Sequence, residues 1–79
     1  MNKTTSHVAT IAAFPNKFGS FTGAVLNTET REALRERFAT IDEAKFWAKK
    51  TAWDTFGPVH YAAIKVKGEY RANCWKDSA

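Results

Sequence analysis

The sequence predicts an α+β fold, an antiparallel sheet of four to five strands with one helix packed on one face, in the order β-β-(β)-α-β-β. Three observations carry this prediction. Two runs rich in β-branched and small apolar residues, 7–14 and 21–27, flank the turn residues Pro15, Asn16 and Gly19 and read as an antiparallel hairpin. Thr40 and Glu43 are spaced as a T-x-x-E capping box, and Gly57-Pro58 is a stop signal, so one helix is bounded at both ends. VHYAAIKV and EYRANCW then flank Lys67-Gly68, a tight two-residue hairpin turn.

Taken in order, MNKTTS (1–6) is polar and expected to fray, and the first strand is expected from His7 to Phe14. Phe14, Phe18 and Phe21 are expected to cluster near the tip of the first hairpin. The segment TETREALRERFAT reads two ways. Its Glu, Ala, Leu and Arg favour helix, and Leu34 and Phe38 are spaced i, i+4. Alternation of Glu32, Leu34, Glu36 and Phe38 with Ala33, Arg35, Arg37 and Ala39 favours a third strand after an NTETR turn, and that reading is preferred. Arg35 and Arg37 then share one face, and Glu36 on the other requires an edge position or a partner.

A chain of 79 residues is one domain, 1–79, and buries only about 60% of its unfolded surface. Three Trp, six Phe and two Tyr, with 44% hydrophobic residues, suffice for a core and are too many for a disordered tail. The net charge of +4 permits contact with nucleic acid or an acidic protein face, yet the cations are interspersed, without the dense runs of a strong polyanion binder. Cys74 is the only cysteine, which excludes an intramolecular disulfide and suits a reducing cytoplasm. HVATIAAF after Lys3 is too short and too interrupted for a signal peptide, and no run approaches the roughly 18 apolar residues of a membrane span, so no membrane partner is expected.

At about 100° per residue, Ile41, Ala44, Ala48, Thr51, Ala52 and Thr55 form a small-residue stripe that lets the helix approach the sheet closely, with Trp47 and Phe56 curling in beside it. Phe46 and Trp53 align with each other roughly 120° to 140° from the stripe, with Lys49 and Lys50 between them in sequence. Three roles remain open for this pair. A long loop or residues 28–39 fold over them as a satellite core, or they anchor a protein interface, or they stack bases beside the lysines. On the sheet, if Ala62, Ile64 and Val66 face the helix, then Tyr61, Lys65 and Lys67 face away. Arg71, Asn73 and Trp75 would join them, and with Arg35 and Arg37 they would make one basic, aromatic face; a merely solvated face is the alternative.

Catalytic signatures are missing from the sequence. A nucleophilic pair would need His60 beside Cys74 with an orienting group, and a lone Cys facing the core is usually packing. No Cys/His zinc cluster, phosphate-binding glycine loop or spaced carboxylate pair occurs, so the chain is read as non-enzymatic, without metal or cofactor. The four glycines are assigned to turns, caps and close strand contact.

RFATIDEAKFWA (37–48), a strand end, Thr cap and Ala-rich helix, followed by the closing hairpin IKVKGEYRANCWKD (64–77), resembles in architecture small phage and mobile-element proteins, among them type I anti-CRISPR proteins. The resemblance spans most of the chain and transfers no functional residue. It implies a stoichiometric inhibitor in a bacterial host cytoplasm that binds the Cascade surveillance complex through a Cas subunit and blocks target DNA. The basic charge departs from acidic DNA mimics and favours steric occlusion. The alternatives are a small basic nucleic-acid-binding module, using Tyr61, Lys65, Arg71 and Trp75, and a homodimeric accessory protein using Phe46 and Trp53; the chain is thus expected as a monomer or a homodimer.

Overall fold

A computed structural model describes residues 4–78. Five strands, β1 (Thr4–Pro15), β2 (Phe21–Asn27), β3 (Ala33–Phe38), β4 (His60–Val66) and β5 (Glu69–Ser78), form one sheet, and α1 (Ile41–Phe56) lies between β3 and β4 in sequence. The strand order is β3-β2-β1-β5-β4, and every neighbouring pair is antiparallel. The chain therefore starts at the centre, steps outward to the β3 edge, crosses one face as α1, and resumes at the opposite edge before β5 fills the gap beside β1.

Turn chemistry sets this path. The Asn16 side-chain oxygen accepts from Phe18 N, Ser20 N and Ser20 Oγ, and Gly19 takes φ 79°, which closes β1–β2. Asn27 repeats the device, accepting from Glu29 N and Thr30 N, with Arg31 in the left-handed region at φ 67°. Asn and Gly are the residues expected at such positions; for Arg31 the hydrogen bond from its amide to Asn27 O holds the turn instead. Gly68, at φ 76°, completes the two-residue β4–β5 turn, with Val66 and Glu69 as the last pair.

Residues 33–38 form the third strand, at the sheet edge, where the charge of Glu36 costs nothing to solvate. Two expectations need correction. Of the segment 1–6 expected to fray, residues 1–3 lie outside the described residues, and Thr4–Ser6 pair with residues 76–78 of β5, because β5 is long enough to extend the central pair. Nor do the three phenylalanines cluster, since β1–β2 register sends Phe14 and Phe21 to opposite faces and leaves Phe18 exposed in the turn.

The capping box forms as its sequence predicts. Thr40 Oγ1 accepts from Glu43 N at 3.2 Å, and Glu43 Oε1 accepts from Thr40 N at 3.2 Å, satisfying two orphan donors at once. At the other end Gly57 N donates to Trp53 O at 2.8 Å. Ala44, Ala48 and Ala52 are fully buried, Ala48 and Ala52 in one cluster with Ile11, Val25, Ala72 and Cys74, while Thr55 at the end of the stripe is exposed. Alanine keeps the helix close, and Gly23 makes that possible: a Cβ there would lie 2.9 Å from Ala44 O and 2.8 Å from Trp47 Cε3.

One helix cannot cover five strands. The backbone of α1 runs over β1 and β2, brushes β3 and β5, and does not approach β4. That asymmetry creates the surfaces of functional interest.

Candidate binding groove beside the helix

On the β3 side α1 is closed off at Trp47 and open toward its C-terminal end, where Leu34 is exposed. Trp47 is half-buried, its ring 5.7 Å from that of Phe38, and both pack above Gly23. Below them a small cleft of about 220 Å³ lies between Val25, Leu34 and Phe56. On the other side Phe46 is 69% exposed and Trp53 48% exposed. Residues 28–39 do not fold over them, because β3 lies along the opposite flank of the helix. The satellite-core reading is thereby removed.

Phe46 and Trp53 instead form one wall of an open groove of about 500 Å³, shared with Lys49, Lys50, Asp54 and Tyr61. Tyr61 reaches up from β4 and donates its hydroxyl hydrogen to Lys49 O at 2.8 Å, the direct tie between β4 and the helix. Lys49 Nζ folds back over the Tyr61 ring at 4.9 Å, and one turn earlier Lys45 Nζ lies over Tyr70 at 4.6 Å. Burial, followed by the proximity of Cys74, pushes the Tyr61 phenol above its ordinary value and so keeps it a hydrogen donor through the neutral range; Tyr70 is raised for the same reasons in the same order. Lys50 pairs with Asp54 at 2.9 Å across one exposed turn, a contact worth only about 0.3–0.5 kcal/mol.

The expected basic and aromatic sheet face is divided by the structure. Tyr61 pairs with Cys74 and Lys65 with Tyr70, so both stand on the helix side, together with Ala63 opposite Ala72. Ala62, Ile64 and Val66 occupy the far side, inverting the predicted phase of β4. The inversion follows from register: Cys74 belongs to the core, and its cross-strand partner must share its face. Arg35, Arg37, Arg71 and Trp75 do fall together on the far face. There Arg71 Nε binds Glu69 at 2.8 Å and its guanidinium lies 5.8 Å from the Phe14 ring, Arg37 lies 4.8 Å from the Phe18 ring, and Trp75 stacks on His7 at 5.0 Å. A bulge at Val8 turns His7 toward that face, where Nε2 meets Thr10 Oγ1 at 3.1 Å.

Thus Phe46, Lys49, Lys50, Trp53, Tyr61 and Lys65 gather beside the helix, and Arg35, Arg37, Arg71 and Trp75 gather on the reverse of the sheet. Sequence reasoning missed Lys45, Tyr70, Ala63 and Phe14. For Lys45 the signal was available, since it precedes Lys49 by one turn on the same flank. For Tyr70 and Ala63 only the register could supply it.

His60 and Cys74 cannot act together. His60 pairs with Trp75 on the far face and meets Asp77 at 3.3 Å, whereas Cys74 is fully buried under the helix, where burial pushes its thiol up to about 11. Among the described residues no three His, Cys, Asp or Glu side chains are grouped to hold a metal, and no helix is long and apolar enough to cross a membrane. No protein-family model matches the chain, and no match was found among curated proteins or solved structures.

Proposed function

We propose that this protein is a non-catalytic binding module that engages a protein partner through the groove between α1 and β4, with Phe46 and Trp53 as anchors. The observation that carries this reading is their joint exposure along a single groove. Burying one such ring stabilises a fold by about 2–3 kcal/mol, so a small domain that leaves two of them open forgoes stability that a partner can recover. Aromatic anchors ringed by polar groups are also the pattern that concentrates binding energy in contact surfaces.

The architectural resemblance to type I anti-CRISPR proteins gives the proposal a specific form: a stoichiometric inhibitor that occupies Cascade and sterically blocks its target DNA. A net charge of +4 does not suit imitation of DNA, which leaves occlusion as the mode of action. Pull-down against purified type I Cascade tests it. Capture by the wild type, lost on Phe46→Ala/Trp53→Ala without loss of fold, is the expected result, and absence of capture removes the Cascade form of the proposal.

A second reading is favoured by the uncovered reverse of the sheet, where Arg35, Arg37 and Arg71 accompany Phe14 and Trp75. Such a face suits stacking and phosphate contact with single-stranded nucleic acid. A shift assay with oligonucleotides across salt distinguishes it, because affinity held by phosphate contacts falls steeply as salt rises.

A further inference from the structure

The sheet ends at β4, whose outer edge carries a row of backbone groups that no neighbouring strand bonds. Val66 and Glu69 flank the two-residue turn as the last pair of the β4–β5 ladder, and a pair in that position exchanges both backbone hydrogen bonds. Counting back by twos, Ile64, Ala62 and His60 also bond β5, so Lys65, Ala63 and Tyr61 turn their N–H and C=O groups outward. No turn or loop hydrogen bond among the described residues reaches them. The helix backbone does not approach β4, and every residue of the strand except Tyr61 is exposed.

The usual defences of an edge are missing here. The β4–β5 register runs from His60 to Val66 without a bulge, the strand has no proline, and Lys65 is its one residue of the Lys, Arg, Asp and Glu types. At the opposite edge β3 holds Arg35, Glu36 and Arg37 in succession.

We propose that β4 pairs antiparallel with β4 of a second copy about a two-fold axis at Ala63, joining two five-stranded sheets into one. The strand's own pattern selects this register. Ala63 then meets Ala63, and each Tyr61 meets the other copy's Lys65, which uses every outward N–H and C=O of the three residues in both copies. The two Lys65 side chains start four residues apart along the ladder, about 14 Å, beyond the Debye length of about 8 Å at physiological salt. An axis at Lys65 would set them face to face. On the reverse of the sheet Ile64, 43% exposed, lies against Ala62 of the other copy, and Val66, 37% exposed, lies against His60, so the strand's larger aliphatic side chains gain cover. Because the axis stands perpendicular to the sheet, both helices fall on one face, and their Phe46 and Trp53 flanks look toward each other across the junction. The pairing goes beyond the groove reading and does not depend on it.

Sedimentation of the full-length protein from about 1 µM to 1 mM tests this, since a strand edge is at the low end of interface size and associates weakly. A monomer–dimer equilibrium within that range is expected. Ala63→Lys opposes two ammonium groups on the axis and should weaken the dimer at least about fivefold, and mixing it with Ala63→Glu should give a heterodimer at least about fivefold tighter than the Lys variant alone. In hydrogen exchange followed by NMR, protection of the Tyr61, Ala63 and Lys65 amides should rise with concentration, while Ala62 and Ile64 stay protected throughout. A monomer over the whole range, a dimer indifferent to Ala63→Lys, no recovery in the mixture, or a dimer lost on Phe46→Ala/Trp53→Ala but kept by Ala63→Lys overturns the proposal. Edge and groove fail separately: a monomer that captures its partner through Phe46 and Trp53 removes the edge pairing alone, and a dimer that captures nothing removes the groove reading alone.

Discussion

Trp47 and Phe46 are neighbours in sequence and opposites in fate. Trp47 points toward β3 and is packed by Phe38, whereas Phe46 points toward β4 and is packed by nothing comparable. Composition cannot explain the difference, since both are large aromatics on the same helix. The cause is the sheet order. β2 and β3 continue outward under one flank of α1, so Phe38 can rise to meet Trp47; under the other flank β5 and β4 present Tyr70, Tyr61, Ala63 and Lys65, whose tyrosines hold lysines rather than cover Phe46. A single helix over a five-stranded sheet closes one side and opens the other.

The edges of the sheet differ in the same sense. β3 carries Arg35, Glu36 and Arg37, charges that discourage strand addition. β4 exposes Ala62, Ile64 and Val66 on one face and Ala63 and Lys65 on the other, an edge that is apolar by comparison. The side of the molecule left open by the helix is therefore also the one least defended by charge.

Substitutions on the closed flank should have the largest effects. Trp47→Ala should cost about 2–3 kcal/mol in urea denaturation, less than a fully buried ring because Trp47 is half-buried. Close behind comes Cys74, which reports how far the cover extends. Its folded pKa of about 11 lies above the ordinary 9.0, so the folded state keeps a proton that the unfolded state releases. The stability this contributes is complete below pH 9 and lost as pH climbs toward 11, to an extent of about 2–3 kcal/mol. Cys74→Ala should flatten that part of the alkaline slope, while Tyr61 and Tyr70, also raised by burial, retain the rest. An unchanged slope would place the thiol in contact with solvent.

Gly23→Ala probes the close approach that seats Trp47. The added Cβ meets the Ala44 carbonyl, a backbone atom that cannot swing aside, so a loss of about 1–3 kcal/mol is expected by the same denaturation measurement. Thr40→Ala should cost about 1 kcal/mol by breaking the capping box, and Thr40→Ser should restore most of it.

Much of this fold is written locally. The capping box, the Gly57 stop and the Lys67-Gly68 turn each satisfy their backbone groups within a few residues, and each appears in the structure where the sequence places it. The phase of β4 is not local. HYAAIKV has apolar residues in both phases, and the rule that the more apolar phase faces the covering layer would bury Ile64 and Val66. No layer covers β4, so that rule has nothing to act on, and register with Cys74 decides instead. For the same reason the helical wheel separated Phe46 and Trp53 from the core stripe correctly but could not say whether another segment covers them. That depends on which edge strand lies beneath their flank, a property of the whole sheet.

The central claim is that the β4 flank of α1 is surface built for contact, and the stability of Phe46→Ala/Trp53→Ala tests it most directly. Urea denaturation of the double variant beside the wild type should show a loss of about 1 kcal/mol, below that of Trp47→Ala alone because Phe46 is 69% and Trp53 48% exposed, with an unchanged denaturant dependence. A loss of about 2 kcal/mol or more would mean that the two rings are core, and would contradict the account.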